Sequence, residues 1–168
     1  MKKVNIIYLL PEMKGASGGA KVIYNHSFTL NNINKNVSSK IVHLKKNFLY
    51  KLELSLAKKI KFFNQTYSGW DGKKMKISKR FKPKTNWYED KIFNSHNLNF
   101  DKKKDFIIIP EIWAHFATDL KFAERGIQYA IFVQGFYHMN STNNFINLKK
   151  SYDGAKLIVT TSKYSVSY

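Results

Sequence analysis

No cysteine occurs among the 168 residues. Disulfides and thiolate-held metals are thereby excluded, and a reducing compartment fits. Acidic side chains are scarce: 11 Asp and Glu stand against 29 Lys and Arg, a formal net charge of +18. Arginine is scarce too, and Lys greatly outnumbers it. Nucleic-acid readers favour the bidentate Arg fork, so this balance argues against a nucleic-acid partner. No run approaches the ~20 apolar residues of a membrane-spanning helix. The N-terminus passes directly into a strand pattern, with no apolar leader or small-residue cleavage signal. The expected location is the cytoplasm.

What is present is a core. Hydrophobic residues make up 43% of the chain and aromatics 15%, which a disordered chain does not reach. The length suits one domain. The excess positive charge fits an anionic partner such as membrane phospholipid, a lipid-phosphate acceptor or nucleic acid. It fits equally a compositional drift in which Lys and Asn rise together, and drift is the plainer reading.

Strand patterns fall at 4–10, 107–109, 129–134 and 157–161, with weaker ones at 38–44 and 75–78. The segments 107–109, 131–134 and 157–160 are near-continuous apolar runs, as expected of strands buried on both faces. Helical patterns lie between them. In 20–32, Val22, Ile23 and Leu30 form the expected apolar face. Residues 112–125 read as one helix ended by Gly126, and 143–152 as another ending near Gly154. Alternation of strands and helices predicts an α/β fold, a Rossmann-like parallel sheet with helices on both faces.

Residues 45–104 break the pattern as a basic, irregular excursion. From Lys45 to Phe63, Phe48, Leu49, Leu52, Leu56, Ile60 and Phe63 share one helical face and most lysines lie elsewhere. Such a helix suits an anionic membrane surface. It suits equally an ordinary surface helix with solvated lysines, which is the plainer reading. Trp70, Trp87 and Tyr88 line a pocket in this excursion or anchor its loop to the body.

Ligands of parallel α/β sheets bind beyond the carboxyl ends of the strands. That rule selects Glu12 and residues 15–19 after the first strand, and Glu111 after 107–109. It also selects Gln134, Tyr137 and His138 after 131–133, and Ser162 after 157–160. The loop at Gly15, Gly18 and Gly19 opens a helix, whose N-terminus attracts anions. It matches neither the dinucleotide fingerprint nor the Walker sequence, and a plain turn explains it as well. Glu111 also suits a helix start, Gln134 a structural amide tying strand ends together, His138 an exposed loop and Ser162 a helix cap. His26, His43, His96 and His115 have no carboxylate partner in sequence. No nucleophile triad or metal-ligand spacing accompanies these loops.

Three segments carry a family resemblance. They are Ile6 through Ile23, with Gly18-Gly19-Ala20-Lys21 at its centre; Asp105 through Glu111; and Ile131 through Tyr137, followed by Ser151 through Ser162. In order and spacing the chain resembles the N-terminal domain of GT-B glycosyltransferases, the large retaining family 4 group. The resemblance spans nearly the whole chain except 45–104. It implies transfer of a sugar from a nucleotide-sugar to a glycan or lipid-linked acceptor, without metal or other cofactor. It places Gly18, Gly19 and Lys21 by the donor phosphates, and Gln134 and Glu111 at the reacting sugar. Glu12, Tyr137, His138 and Ser162 fall on the acceptor side. Many members carry His where this chain has Gln134, and Gln can only hydrogen-bond a hydroxyl. The family's second domain, which holds the nucleotide, has no counterpart here. The chain is therefore expected to be one half of a longer or two-chain enzyme, inactive alone, cytoplasmic or peripheral at the inner membrane face. The alternative is a non-catalytic basic α/β module that binds anionic lipid or nucleic acid.

Overall fold

The structure, a computed structural model, describes residues 4–12, 17–33, 35–46, 51–52, 72–78, 100–135 and 145–161. Most of the expected basic helix at 45–63 lies outside the described residues, as do Gly15, Trp70, Trp87, Tyr88, His96, Tyr137, His138 and Ser162.

The fold is α/β, built on a mostly parallel six-stranded sheet. In chain order the elements are β1 (Val4–Pro11), α1 (Gly18–Ile33), β2 (Val37–Lys46), a 3-10 turn (Gly72–Lys74) and β3 (Met75–Ile77). There follow β4 (Asp105–Pro110), a second 3-10 turn (Glu111–Trp113), α2 (Phe116–Asp119), β5 (Gln128–Val133), α3 (Phe145–Asp153) and β6 (Leu157–Thr160). The strands lie in the order β3-β2-β1-β4-β5-β6. All pairings are parallel except β2 with β3, where Leu44 faces Ile77. Among the described residues, no helix is long and apolar enough to cross a membrane.

Strand pleating sends alternate side chains to opposite faces, and helices cover both. On one face Tyr8, Leu10, Ile41 and Phe132 pack against Ala20, Ile23 and Tyr24 of α1. On the other, Ile7, Leu9, Val42, Ile107 and Ile131 pack against Trp113, Phe116 of α2 and Leu148 of α3. The aliphatic runs of β1, β4 and β5 are what a strand sandwiched between two such layers requires.

Three local expectations are corrected. The buried residues of α1 are Ala20, Ile23, Tyr24 and Ser27, while Val22 and Leu30 are only partly covered. The helix expected at 112–125 is broken into the 3-10 turn, the single turn α2 and a further turn. Trp113, Phe116 and Phe122 are all fully buried. On a continuous helix Trp113 and Phe122 would point about 180° apart. The chain breaks to bury both, with Lys121 at φ 56° in the break. Gly126 does end the segment, at φ 67°. Third, β6 is not buried on both faces. It is the last strand of the sheet, and Leu157, Ile158 and Val159 are exposed.

Three polar arrangements fasten α1 to β2, one of them the buried Ser39 hydroxyl donating to Ser27 Oγ at 2.9 Å. The Tyr24 hydroxyl lies 2.7 Å from His43 Nε2, with both residues buried. Further along, Asn31 grips the backbone of Ser39. Its Oδ1 accepts from the Ser39 N–H at 2.7 Å and its Nδ2 donates to the Ser39 carbonyl at 3.1 Å. Among the described residues, β3 pairs with β2 only at Leu44–Lys46. The side-chain amide thus stands in for a strand where β2 would otherwise present an open edge.

Candidate functional site

The chain leaves β1 toward β2 on one side, and β4 lies on the other. That reversal beside the carboxyl end of β1 is a topological switch point, where open α/β sheets form a crevice. A cleft of about 400 Å³ occupies it. Its walls are Leu10 and Pro11 from β1, Ser17 and then Gly18 through Ala20 and Ile23 of α1, Pro110 at the end of β4 with Glu111 and Ile112 after it, and Gln134 after β5.

The glycine side is shaped by a cap. Ser17 Oγ accepts from the Ala20 N–H at 3.3 Å, and the Ser17 carbonyl accepts from Lys21 N–H at 3.0 Å. Ser17 is therefore the N-cap, and α1 begins at Gly18 rather than at Ala20. Among the described residues, no acceptor takes the N–H of Gly18 or Gly19. A Cβ on Gly18 would meet nothing within 4 Å. Gly19 is different: a Cβ there would lie 2.5 Å from Gln134 Oε1. The glycine makes room for the amide of Gln134, whose Nε2 donates to the Gly19 carbonyl at 3.1 Å.

The opposite side is organised by Glu111. β4 ends in Pro110, and the next residue turns its side chain inward, only 2% exposed. Its Oε2 accepts from the N–H groups of Gln134 and Gly135, each at 3.0 Å. Hydrogen bonds to a carboxylate are stronger than neutral ones, and two on one oxygen fix the turn after β5. The charge of Glu111 reaches Tyr152. Its hydroxyl is pushed up to about 12, first by burial and then by that carboxylate.

The structure therefore brings together four of the expected site residues: Gly18, Gly19, Glu111 and Gln134. Glu111 stands in the first turn after β4, as its plainer reading held; the Gln134 amide ties the end of β5 to the first turn of α1 rather than to another strand end. No family model, curated protein or solved structure matches the chain.

Two other expected residues stand apart. Glu12 does not line the cleft. Its N–H donates to the Leu44 carbonyl at 2.9 Å and its carboxylate lies 3.8 Å from Lys45 Nζ. Lys21 is exposed on the first turn of α1, outside the lining. Sequence reasoning missed Ser17 as the cap, although a Ser directly before the helix is the standard signal for one. It also missed the apolar walls formed by Ile23 and Ile112. Among the described residues, no cluster of His, Cys, Asp or Glu could hold a metal ion.

The lining is thus a mixture of aliphatic surface, one amide, one carboxylate and the open start of a helix. No Lys, Arg or His lines the cleft among the described residues. Apolar walls with a few convergent polar groups are the composition of a small-ligand site.

Proposed function

We propose that this cleft binds a hydroxyl-rich ligand, and that the chain is the acceptor-binding half of a retaining glycosyltransferase. The enzyme would move a sugar from a nucleotide-sugar to a glycan or lipid-linked acceptor. One observation carries the reading. Glu111 and Gln134, 23 residues apart in the chain, converge at the switch point opposite the glycine start of α1. Amides and carboxylates are the groups that bind sugar hydroxyls, and Leu10, Ile23 and Ile112 offer surface to the apolar face of a ring. On this reading Gly18 and Lys21 lie by the donor phosphates. Glu12 flanks the acceptor side, together with Tyr137, His138 and Ser162, which fall outside the described residues. No metal or other cofactor takes part.

Departure of a diphosphate requires fixed positive charge in the cleft. The described lining supplies none, so the chain alone is expected to bind without turning over. The test is calorimetric titration of the chain with UDP-sugars, GDP-sugars and oligosaccharides, repeated at rising salt. Binding that depends on sugar identity and survives salt supports the reading. Binding to anionic vesicles or RNA that ignores sugars and collapses with salt overturns it in favour of a basic lipid- or nucleic-acid-binding module, which the +18 charge would favour. Sugar transfer by the 168-residue chain alone would refute the half-enzyme assignment.

A further inference from the structure

The amide of Gln134 is half-spent. One Nε2 hydrogen goes to the Gly19 carbonyl. Among the described residues, nothing accepts the second hydrogen and nothing donates to Oε1. One donor and one acceptor remain, side by side, on a residue that lines the cleft. The orientation is not free to reverse, because a flipped amide would set its oxygen against the Gly19 carbonyl. Glu111 holds the backbone beneath it through two hydrogen bonds.

A pair of neighbouring hydroxyls matches this amide, since each hydroxyl donates and accepts. An ionised carboxylate or sulfate oxygen does not. It can only accept, so it satisfies the hydrogen and leaves its lone pairs facing those of Oε1. The buried carboxylate of Glu111 adds repulsion in a site where water screens little. Tyr152 already registers that charge, its hydroxyl held up to about 12 by burial and by Glu111.

We propose that the Gln134 amide is the selector of the cleft. It takes two adjacent hydroxyls of an uncharged sugar ring and keeps an anionic group off its own Oε1, leaving the N–H groups at the start of α1 to the donor phosphates, and Glu111 is the positioning residue that presents it. This deepens the hydroxyl-ligand reading of the cleft and rests on it.

The test follows the side-chain NH2 signal of Gln134 by 15N-edited NMR on the full chain, the Gln134→Ala variant identifying it. The probes are methyl glycosides of glucose, galactose and mannose, acetate, and sulfate. Neutral glycosides should shift the Gln134 signal, and the two anions should need roughly tenfold higher concentration. Glu111→Gln keeps a carbonyl for the two N–H groups but removes the charge. It should cut the discrimination against anions severalfold. Unchanged discrimination would remove Glu111 from the proposal. Anions that shift Gln134 as readily as the neutral glycosides would overturn the proposal itself. So would glycosides that shift Gly18 and Ile112 but leave Gln134 still, while the hydroxyl-ligand reading survives. Probes that move no cleft signal at all would sink both.

Discussion

Gly19 and Gln134 stand 115 residues apart in the chain, yet share a hydrogen bond of 3.1 Å across the cleft. The bond needs both partners as they are. Only a glycine leaves space for the amide, and only a side chain of this length reaches the first turn of α1 from the end of β5. The link joins the two loops whose placement defines the cleft.

Replacing Gly19 with Ala tests that link. The new Cβ would fall 2.5 Å from Gln134 Oε1, so the amide must swing away. The lost hydrogen bond costs about 1 kcal/mol, and Ala returns a similar amount through its better helix propensity. Urea unfolding should change by less than about 1 kcal/mol. The Gln134 side-chain signal should move to a solvent-exposed position, and an unmoved signal would contradict the geometry.

Glu111→Ala should be far more costly. It strips the acceptor from two N–H groups at once and leaves a void behind a fully buried side chain. The expected loss is about 2–4 kcal/mol in chemical denaturation. Glu111→Gln should lose less than half as much, because its carbonyl can accept both bonds. Equal losses would mean that charge, rather than acceptor capacity, holds the turn.

Asn31→Ala removes the amide that closes the edge of β2. We expect about 1–2 kcal/mol of destabilisation. The Ser39 amide should also exchange with deuterium much faster, while that of Ile41 changes little. Protection at Ser39 that survives the substitution would show that some other group covers this edge.

Alkaline pH should weaken the fold in a defined window. Burial pushes the hydroxyls of Tyr8 and Tyr152 up to about 12, from the ordinary 10.0. Between these values the unfolded chain loses protons that the folded chain keeps, so stability falls as pH rises from 10 toward 12. Below pH 10 neither group contributes a slope. Absorbance of ionised tyrosine should show a late fraction that titrates with unfolding, and Tyr152→Phe should make that fraction smaller.

The strands that carry the site were readable because they are long apolar runs. β1, β4 and β5 sit near their expected positions, and Glu111 and Gln134 follow from where those strands end. The position of β6 within the sheet was not readable. Leu157, Ile158 and Val159 look like a central strand in sequence, and only the sheet order reveals an edge. Likewise the periodicity of 112–125 records apolar positions, but not that Trp113 and Phe122 must point the same way. The contact of Gln134 with Gly19 depends on the register of distant strands, which local sequence does not encode. Ser17 is a plainer omission: the cap was visible, but attention to the glycines moved the helix start to Ala20.

The pairing of Asn5 with Asp105, 100 residues downstream, has a consequence for how the protein is made. At roughly 5–20 residues per second, a ribosome needs on the order of 5–20 seconds after β1 before β4 is synthesised. Through that interval β1 can pair with β2, but its other edge and one of its apolar faces wait for sequence that does not yet exist. The cleft is therefore among the last features to form, since three of its walls come from β1, β4 and β5 and the third of these is later still. A nascent chain stalled between residues 46 and 105 would offer chaperones an unpaired, oily strand, and any ligand of the cleft would have nothing to bind.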